Sequence, residues 1–189
     1  MCGRYLLNLD MQISELNYIF EQVKNDPQYS KMKRGEIFPT NVVPVLVPEK
    51  NERGARLFTW GFPSFHGKNV IINARSESVH EKRMFKSSLE KRRCVIPSTG
   101  FYEWDSQKKK FLFNMPDSSL LYMAGIYNQF EGENRFVILT AAANSSVLEV
   151  HERMPVVLPQ DKIENWLYDY DAVDFILFSD HPGLVKQIS

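Results

Sequence analysis

The chain has 189 residues, which is the length of one domain. Its composition is 43% hydrophobic and 24% charged, within the globular range, and this excludes a disordered or collagen-like protein. The 23 Lys and Arg residues balance the 23 Asp and Glu residues, so a uniformly basic, histone-like surface is excluded, although a local basic groove is not.

Cysteine content and hydrophobic runs indicate the cellular compartment. The two cysteines, Cys2 and Cys94, are too few for a disulfide-rich secreted scaffold. The chain does not open with a basic stretch and an apolar run, and it has no run of about 18 apolar residues, so we expect neither a signal peptide nor a membrane span. We therefore expect a cytoplasmic protein with reduced thiols and no membrane association.

The first half of the chain is predicted to begin with a strand followed by an amphipathic helix. Residues 2–7 indicate a short strand, and apolar residues recur at helical spacing over 13–23. The patterns that follow predict, in chain order, strands at 42–47, 56–60 and 70–73, with a loop at 61–68, and a helix at 77–90.

The second half is dominated by short segments rich in aromatic and β-branched residues, which favour strands. These predict strands at 94–96, 101–104, 111–115, 120–127 and 136–140, with a hairpin turn at 106–110. The remaining patterns predict a helix at 147–150, a strand at 156–158, a helix at 160–168 and a last strand at 175–178. Many short strands with few helices predict a single α+β domain whose mainly antiparallel sheet is closed or sandwich-like.

Cys2 has unusual chemistry available if the initiator methionine is removed, because its α-amine and thiol would then lie on adjacent carbons. The amine has a reference pKa of about 7.7–8.0, so part of it is neutral and nucleophilic near pH 7. An aldehyde can form an imine with this amine, and the thiol can then close a thiazolidine ring. Gly3 leaves room for close approach, and Arg4 is a cation that could lower the thiol pKa. The alternative is an ordinary small strand residue.

Asn73 and Arg75 follow the apolar segment 70–72. A polar amide at a strand end is suited to orient a nucleophile or hold an oxyanion, although it can also be a simple cap. Arg75 could hold a phosphate through two hydrogen bonds or form a surface ion pair.

Glu103 and His151 are the candidate proton carriers. Glu103 stands among aromatic residues at 101–104, and apolar surroundings raise a carboxyl pKa enough for general acid/base catalysis. An exposed strand glutamate is the alternative. His151 precedes a proline-terminated segment and suits a proton shuttle, unless it is a structural histidine.

Other chemistry is excluded or left open by the remaining motifs. The other histidines lack metal-ligand spacing, and there is no CxxC, HExxH, Walker or GxGxxG motif, so we expect neither a metal nor a cofactor. Cys94 lies within an apolar strand and is expected to be an inert core residue. The Trp-Gly-Phe segment at 60–62 could stack on bases or pack in the core.

Five short motifs occur in an order that resembles the SOS response-associated peptidase (SRAP) family. They are MCGRY at 1–5, WGF at 60–62, INAR at 72–75 with Glu77, GFYEW at 100–104 and HERMP at 151–155. The resemblance implies one SRAP-like domain over 1–189, with antiparallel sheets forming a barrel-like core and a few peripheral helices. It implies a DNA-damage (SOS) response protein that binds single-stranded DNA, crosslinks covalently to abasic sites and removes its own Met1.

The resemblance also implies residue roles. Cys2 would form the thiazolidine, Asn73 would orient the Cys2 nucleophile, Glu103 would be the acid/base carboxylate, and His151 would assist Schiff-base steps and reversal. The implied DNA-binding residues are Arg4, Trp60, Gly61, Arg75 and Glu77. No metal or cofactor is implied, and we expect a monomer. Two segments depart from the family pattern: 38–41, where many members carry a YNxAP-like sequence, and a C-terminal segment reduced to 180–183 and a short tail.

Two other functions remain open from the sequence. One is a thiol peptidase or amidohydrolase acting in trans, with Cys2 as nucleophile and His151 as base. The other is a non-catalytic module that binds single-stranded DNA.

Overall fold

The computed structural model describes residues 2–8, 13–50, 52–64, 69–117 and 120–189. The strands are β1 Tyr5–Leu7, β2 Gly35–Ile37, β3 Val42–Pro48, β4 Arg53–Trp60, β5 Phe62–Pro63, β6 Val70–Ile71, β7 Asn73–Arg75, β8 Arg93–Ser98, β9 Gly100–Trp104, β10 Lys110–Asn114, β11 Leu121–Phe130, β12 Glu133–Ala142, β13 Arg153–Pro155, β14 Val157–Leu158 and β15 Val185–Ile188. The helices are α1 Ser14–Val23, α2 Arg83–Lys91, α3 Ile163–Tyr168 and α4 Val173–Phe178, with 3₁₀ turns at Tyr29–Lys31, Ser76–Ser78 and Gln160–Lys162.

Five strands close into a barrel. β4, β3, β8, β11 and β12 pair in that order through antiparallel ladders, and a parallel pairing of β12 with β4 completes the ring. Closure hides the strand edges that an open sheet would expose. The predicted α+β class with a mainly antiparallel, barrel-like core is therefore confirmed.

A second sheet, in the order β15-β10-β9-β1-β2, brings the start of the chain beside β9. Its ladders are antiparallel, and β1 lies between β2 and β9. Residues that precede β1 therefore lie close to the end of β9. β7 pairs in parallel with β12, so the barrel supplies the neighbouring strand on another side.

Aromatic packing joins the barrel to the second sheet. The Trp60 side chain is fully buried, with its ring centroid 5.3 Å from that of Tyr5 and 6.3 Å from that of Phe136. Its indole N–H donates to the Ile72 carbonyl at 3.1 Å. Trp166 is also fully buried, and the third tryptophan, Trp104, is half-buried.

Arg93 satisfies the last carbonyls of two helices. Its guanidinium, on a side chain that is nearly fully buried, donates to the carbonyls of Leu89 and Glu90 at the end of α2 and to those of Trp166 and Leu167 in α3. Terminal helix carbonyls have no partner within the helix itself, so one buried cation caps both elements.

Several predicted elements differ in the structure. Residues 175–178 belong to α4 and not to a strand, because Val173, Ile176 and Leu177 share a buried helical face. The segment 147–150 forms hydrogen-bonded turns and not a helix. The predicted helix at 77–90 begins as a 3₁₀ turn and becomes α-helical at 83. No prediction anticipated β2 or β15.

Some predictions concern residues outside the described part of the chain. Met1, whose removal the resemblance implies, is one of these, and residues 65–68 of the predicted 61–68 loop are others. Among the described residues, no helix combines the length and the apolar character needed to cross a membrane.

Candidate active site

Strand pairing places Cys2 beside Glu103. Tyr5 lies opposite Phe101 in the β1–β9 ladder, and the Tyr102 N–H donates to the Arg4 carbonyl at 2.9 Å. Continuing this register sets Gly3 opposite Glu103. Cys2 and Glu103 are both buried, and the register makes the start of the chain a neighbour of the Glu103 strand position.

Asn73 holds the backbone of Cys2. Its side-chain N–H donates to the Cys2 carbonyl at 2.9 Å, and Asn73 is itself fixed by the pairing of β7 with Ile138 on β12. The Asn73 carbonyl oxygen Oδ1 is buried and accepts no hydrogen bond from any described residue. Asn73 therefore does not cap its own strand end alone, because its amide holds the Cys2 carbonyl and leaves a buried oxygen without a described donor.

Glu103 is linked electrostatically to Cys2 on one side and to His151 on the other. Burial raises the pKa of Glu103, and the nearby His151 opposes that rise. Burial also raises the pKa of the Cys2 thiol, and the charge of Glu103 raises it further. Coulombic effects weaken with separation, so Glu103 lies near both the Cys2 thiol and His151. The structure thus brings together Cys2, Asn73, Glu103 and His151.

The Arg4 guanidinium does not lie beside the Cys2 thiol, so the prediction that its charge lowers the thiol pKa is wrong. A hydrogen bond with the Arg4 backbone does lower that pKa, but burial outweighs it. The Arg4 guanidinium carbon lies 4.3 Å from the centroid of the Phe38 ring and 5.0 Å from that of Trp104. A guanidinium nitrogen lies 3.4 Å from a Glu36 carboxylate oxygen. Strand alternation turns Arg4 to the face opposite Tyr5. The Cys2 Sγ lies 3.8 Å from the Arg4 carbonyl oxygen, so the thiol faces the backbone of Arg4 and not its guanidinium. The Arg4 Nε is buried and has no acceptor among the described residues.

The His151 ring is oriented by backbone. The Arg153 N–H donates to His151 Nδ1 at 2.9 Å, and the Arg153 carbonyl lies at 3.2 Å from the same nitrogen. A backbone N–H can only donate, so the shorter contact makes Nδ1 an acceptor and places the proton of the neutral ring on Nε2.

The side chain of Arg153 is a supporting element that the sequence predictions missed. It is nearly buried, forms an ion pair with both oxygens of Glu77 and donates to the Thr140 carbonyl at 2.7 Å. The Arg153 hydrogen bonds lower the pKa of Glu77 to about 2. The available signal was the position of this arginine two residues after His151.

The predicted DNA-binding residues differ in their exposure to solvent. Arg75 is exposed and, by strand alternation, lies on the same side of β7 as Asn73. Trp60 and Gly61 are buried, so the ring that we expected to stack on bases is covered by Tyr5 and Phe136. Core packing, the alternative, is the role that this burial supports. Glu77 is half-exposed and is engaged by Arg153.

The remaining candidates do not form a second centre. Cys94 is fully buried and its thiol pKa is raised by burial, as expected of an inert core cysteine. Within the described ranges, no three His, Cys, Asp or Glu side chains are grouped so that they could hold a metal ion.

Comparison with known proteins was consistent across sequence and structure. The sequence profile of the family described as SOS response associated peptidase (SRAP) matches residues 1–176. Abasic site processing protein YoqW of Bacillus subtilis (strain 168) is 31% identical, over 88% of this chain and 80% of that protein. Abasic site processing protein YedK of Escherichia coli (strain K12) is 28% identical, over 88% and 79%. A crystal structure from Bacteroides thetaiotaomicron shares the fold, with a TM-score of 0.78 at 22% identity over 99% of this chain and 91% of that one.

Proposed function

Because this chain belongs to the SOS response associated peptidase (SRAP) family, we propose that it processes abasic sites in DNA by binding single-stranded DNA and forming a covalent thiazolidine at Cys2. The observation that supports this proposal is the arrangement of Asn73. Its side-chain N–H donates to the Cys2 carbonyl at 2.9 Å, and its buried Oδ1 accepts no hydrogen bond from any described residue. That oxygen is suited to accept an N–H from a Cys2 α-amine exposed by removal of Met1.

The first step is attack of the amine on the ring-opened sugar aldehyde. Asn73 Oδ1 accepts one amine hydrogen and aims the nitrogen lone pair at the carbonyl carbon. The C–N bond forms and gives a carbinolamine. Glu103 then donates its proton to the hydroxyl group, which leaves as water and produces an iminium ion. Burial of Glu103 supports this role, because a raised pKa keeps the carboxyl protonated to higher pH.

Ring closure follows at the iminium carbon. The Cys2 sulfur adds to that carbon, and the thiol proton passes to the Glu103 carboxylate, which regains what it gave in the dehydration. Burial raises the thiol pKa, so the proton leaves as the S–C bond forms and not beforehand. The balance is protein plus aldehyde giving the adduct plus one water. His151 Nε2–H assists proton transfer at the imine and in reversal.

DNA backbone contacts in this proposal come from Arg4 and Arg75. The Arg4 side chain is partly exposed, with Glu36 as its ion-pair partner, and Arg75 is exposed on the Asn73 side of β7. Phosphate contacts by two cations make the non-covalent affinity fall with salt. The buried, high-pKa thiol disfavours a peptidase acting in trans, because the thiolate is the attacking species in such enzymes. Self-removal of Met1 remains part of the proposal.

The test uses protein whose mature start is Cys2, mixed with a single-stranded oligonucleotide that carries one abasic site. We expect a species in the intact mass spectrum equal to protein plus oligonucleotide minus one water. Borohydride should not be needed to preserve it, because a thiazolidine has no C=N bond to reduce. An oligonucleotide with a tetrahydrofuran analogue, which has no aldehyde, is the matched control. Absence of the covalent species with the true abasic site would overturn the proposal.

A further inference from the structure

The loop that carries His151 is organised by one side chain, Asn144. Residues 143–152 connect β12 to β13, and the Ala143 N–H donates to the Glu152 carbonyl at 2.9 Å to close the base. Inside the loop, Asn144 Oδ1 accepts from the Ser146 N–H at 3.1 Å and from its hydroxyl at 2.6 Å. The backbone carbonyl of Asn144 accepts from the N–H groups of residues 147 and 148. The His151 N–H donates to the Val147 carbonyl at 3.1 Å, so the imidazole is fixed to this turn.

The C-terminal strap, residues 180–188, fastens the same loop from outside. Asn144 Nδ2 donates to the His181 and Pro182 carbonyls, both at 3.0 Å. The Leu184 N–H donates to the Ser146 hydroxyl at 3.1 Å. Farther along the strap, Lys186 forms an ion pair with Glu149, two residues before His151. Every hydrogen-bonding atom of the Asn144 side chain is therefore used, half inside the loop and half on the strap.

The strap continues into the sheet that carries Glu103. β15 pairs with β10, and β10 pairs with β9. In this register Glu103, Phe111 and Ile188 stand opposite one another across three strands. One segment thus links the strand of the carboxylate to the loop of the imidazole. The strap lies beyond residue 176, where the family match ends.

We propose that the C-terminal strap positions His151 relative to Glu103, with Asn144 as the positioning residue. The inference rests on the proposed function, because that function has both groups transfer protons at the same imine. Displacements of about 1 Å in a catalytic group can cost large factors in rate, so a loop held on both sides matters for a proton carrier.

The decisive variant is Asn144→Asp. It keeps an acceptor for Ser146 but sets a carboxylate oxygen against the His181 and Pro182 carbonyls in place of the amide donors. We expect amide hydrogen exchange over 145–151 to rise about tenfold, as local opening becomes easier. The pH profile of hydrogen exchange at the C2–H of His151 should also change, because the surroundings of the imidazole change. Reversal of the adduct should slow about tenfold. Asn165→Asp, the same change at an exposed position of α3, should leave all three unchanged.

A charge swap guards against a variant that merely unfolds. Lys186→Glu places like charges at the Glu149 contact and should loosen the loop, while Glu149→Lys combined with Lys186→Glu should restore the original exchange and reversal rates. Exchange that rises equally over the whole molecule, or a His151 profile that does not move in either variant, would overturn the positioning role. Because hydrogen exchange needs no DNA, a parent protein that forms no adduct would refute the proposed function without deciding this inference.

Discussion

The two cysteines of this chain are equally buried, but one lies in an apolar strand of the barrel and the other lies beside polar and acidic side chains. Both side chains are fully buried, and burial raises the pKa of both thiols. Cys94 lies in the barrel wall opposite Gly125, and its Sγ would be 3.1 Å from a Cβ at that glycine. Cys2 instead has Asn73 on its carbonyl and Glu103 close enough to alter its pKa. Burial therefore does not distinguish the two thiols. In the proposed reaction, what distinguishes Cys2 is the neighbouring Glu103, which would take the thiol proton as the S–C bond forms.

The largest expected effect comes from removing the sulfur at each position. Cys2→Ala should abolish the stable adduct completely, since no thiazolidine can close. The amine remains, so borohydride should still trap an imine with the abasic oligonucleotide. Cys94→Ala should form the adduct normally and lose only about 1 kcal/mol of unfolding free energy. Intact mass spectrometry measures the adduct, and urea unfolding measures the stability. A stable adduct formed by Cys2→Ala would show that the Cys2 sulfur is not needed, and the two cysteines would then not differ in function.

Glu103→Gln tests the acid directly. General acid catalysis contributes about 10²–10⁴-fold, so we expect adduct formation to slow by about 10²-fold or more. In the parent, the rate should fall as pH rises through the raised pKa of Glu103, because the acid form is lost. The glutamine variant should lack that limb. Single-turnover rates of adduct formation between pH 5 and pH 9 measure this pH dependence. If the rate of the glutamine variant still fell as the pH rose, the acid would be another group.

Gly125→Ala should damage the Cys94 region and leave the Cys2 region working. The new Cβ would stand 2.4 Å from the Ile96 Cδ1 and 3.0 Å from the Val137 carbonyl oxygen. Overpacking of this kind costs about 1–3 kcal/mol of unfolding free energy. Gly183→Ala has open space around it and should change stability by less than about 0.5 kcal/mol. Urea unfolding compares the pair, and equal stabilities would show that the barrel wall yields at Gly125.

The smallest effect is the pH dependence of the Glu77–Arg153 pair. The pKa of Glu77 is lowered from 4.5 to about 2, so its stabilisation is complete above pH 4.5 and is lost as pH falls towards 2. Glu77 is half-exposed, and we expect less than about 1 kcal/mol. The stability difference between the parent and Glu77→Gln should therefore shrink between pH 6 and pH 3 in urea unfolding. A difference that grows at low pH would contradict this assignment.

The sequence patterns were sufficient for α1, because burial on one face leaves a clear helical periodicity. The barrel strands were predicted instead from their aromatic and β-branched residues, since strands such as β3 and β8 are buried on both faces and show no alternation. Strand alternation and short motifs also brought Cys2, Asn73, Glu103 and His151 into consideration together. The geometry that joins them could not be predicted, since it depends on pairing between β1 and β9 and between β7 and β12, across long stretches of chain.

The failures have physical causes too. Four consecutive apolar residues at 175–178 fit a strand or a helix equally, and only packing selects the helix that buries Ile176 and Leu177. β15 is exposed along its whole length, so backbone pairing with β10 holds it without any hydrophobic pattern. The Trp60 ring was predicted at the surface or in the core, and the contact with Tyr5 decided for the core.

The positions of the three tryptophans allow intrinsic fluorescence to distinguish binding at the site from unfolding. Trp60 and Trp166 are sealed in the interior and should resist quenching by iodide until the chain unfolds. Trp104 is half-buried, adjoins Glu103 in sequence and lies under the Arg4 guanidinium. Its emission should respond when a ligand occupies the site, so one fluorescence spectrum separates occupancy from unfolding.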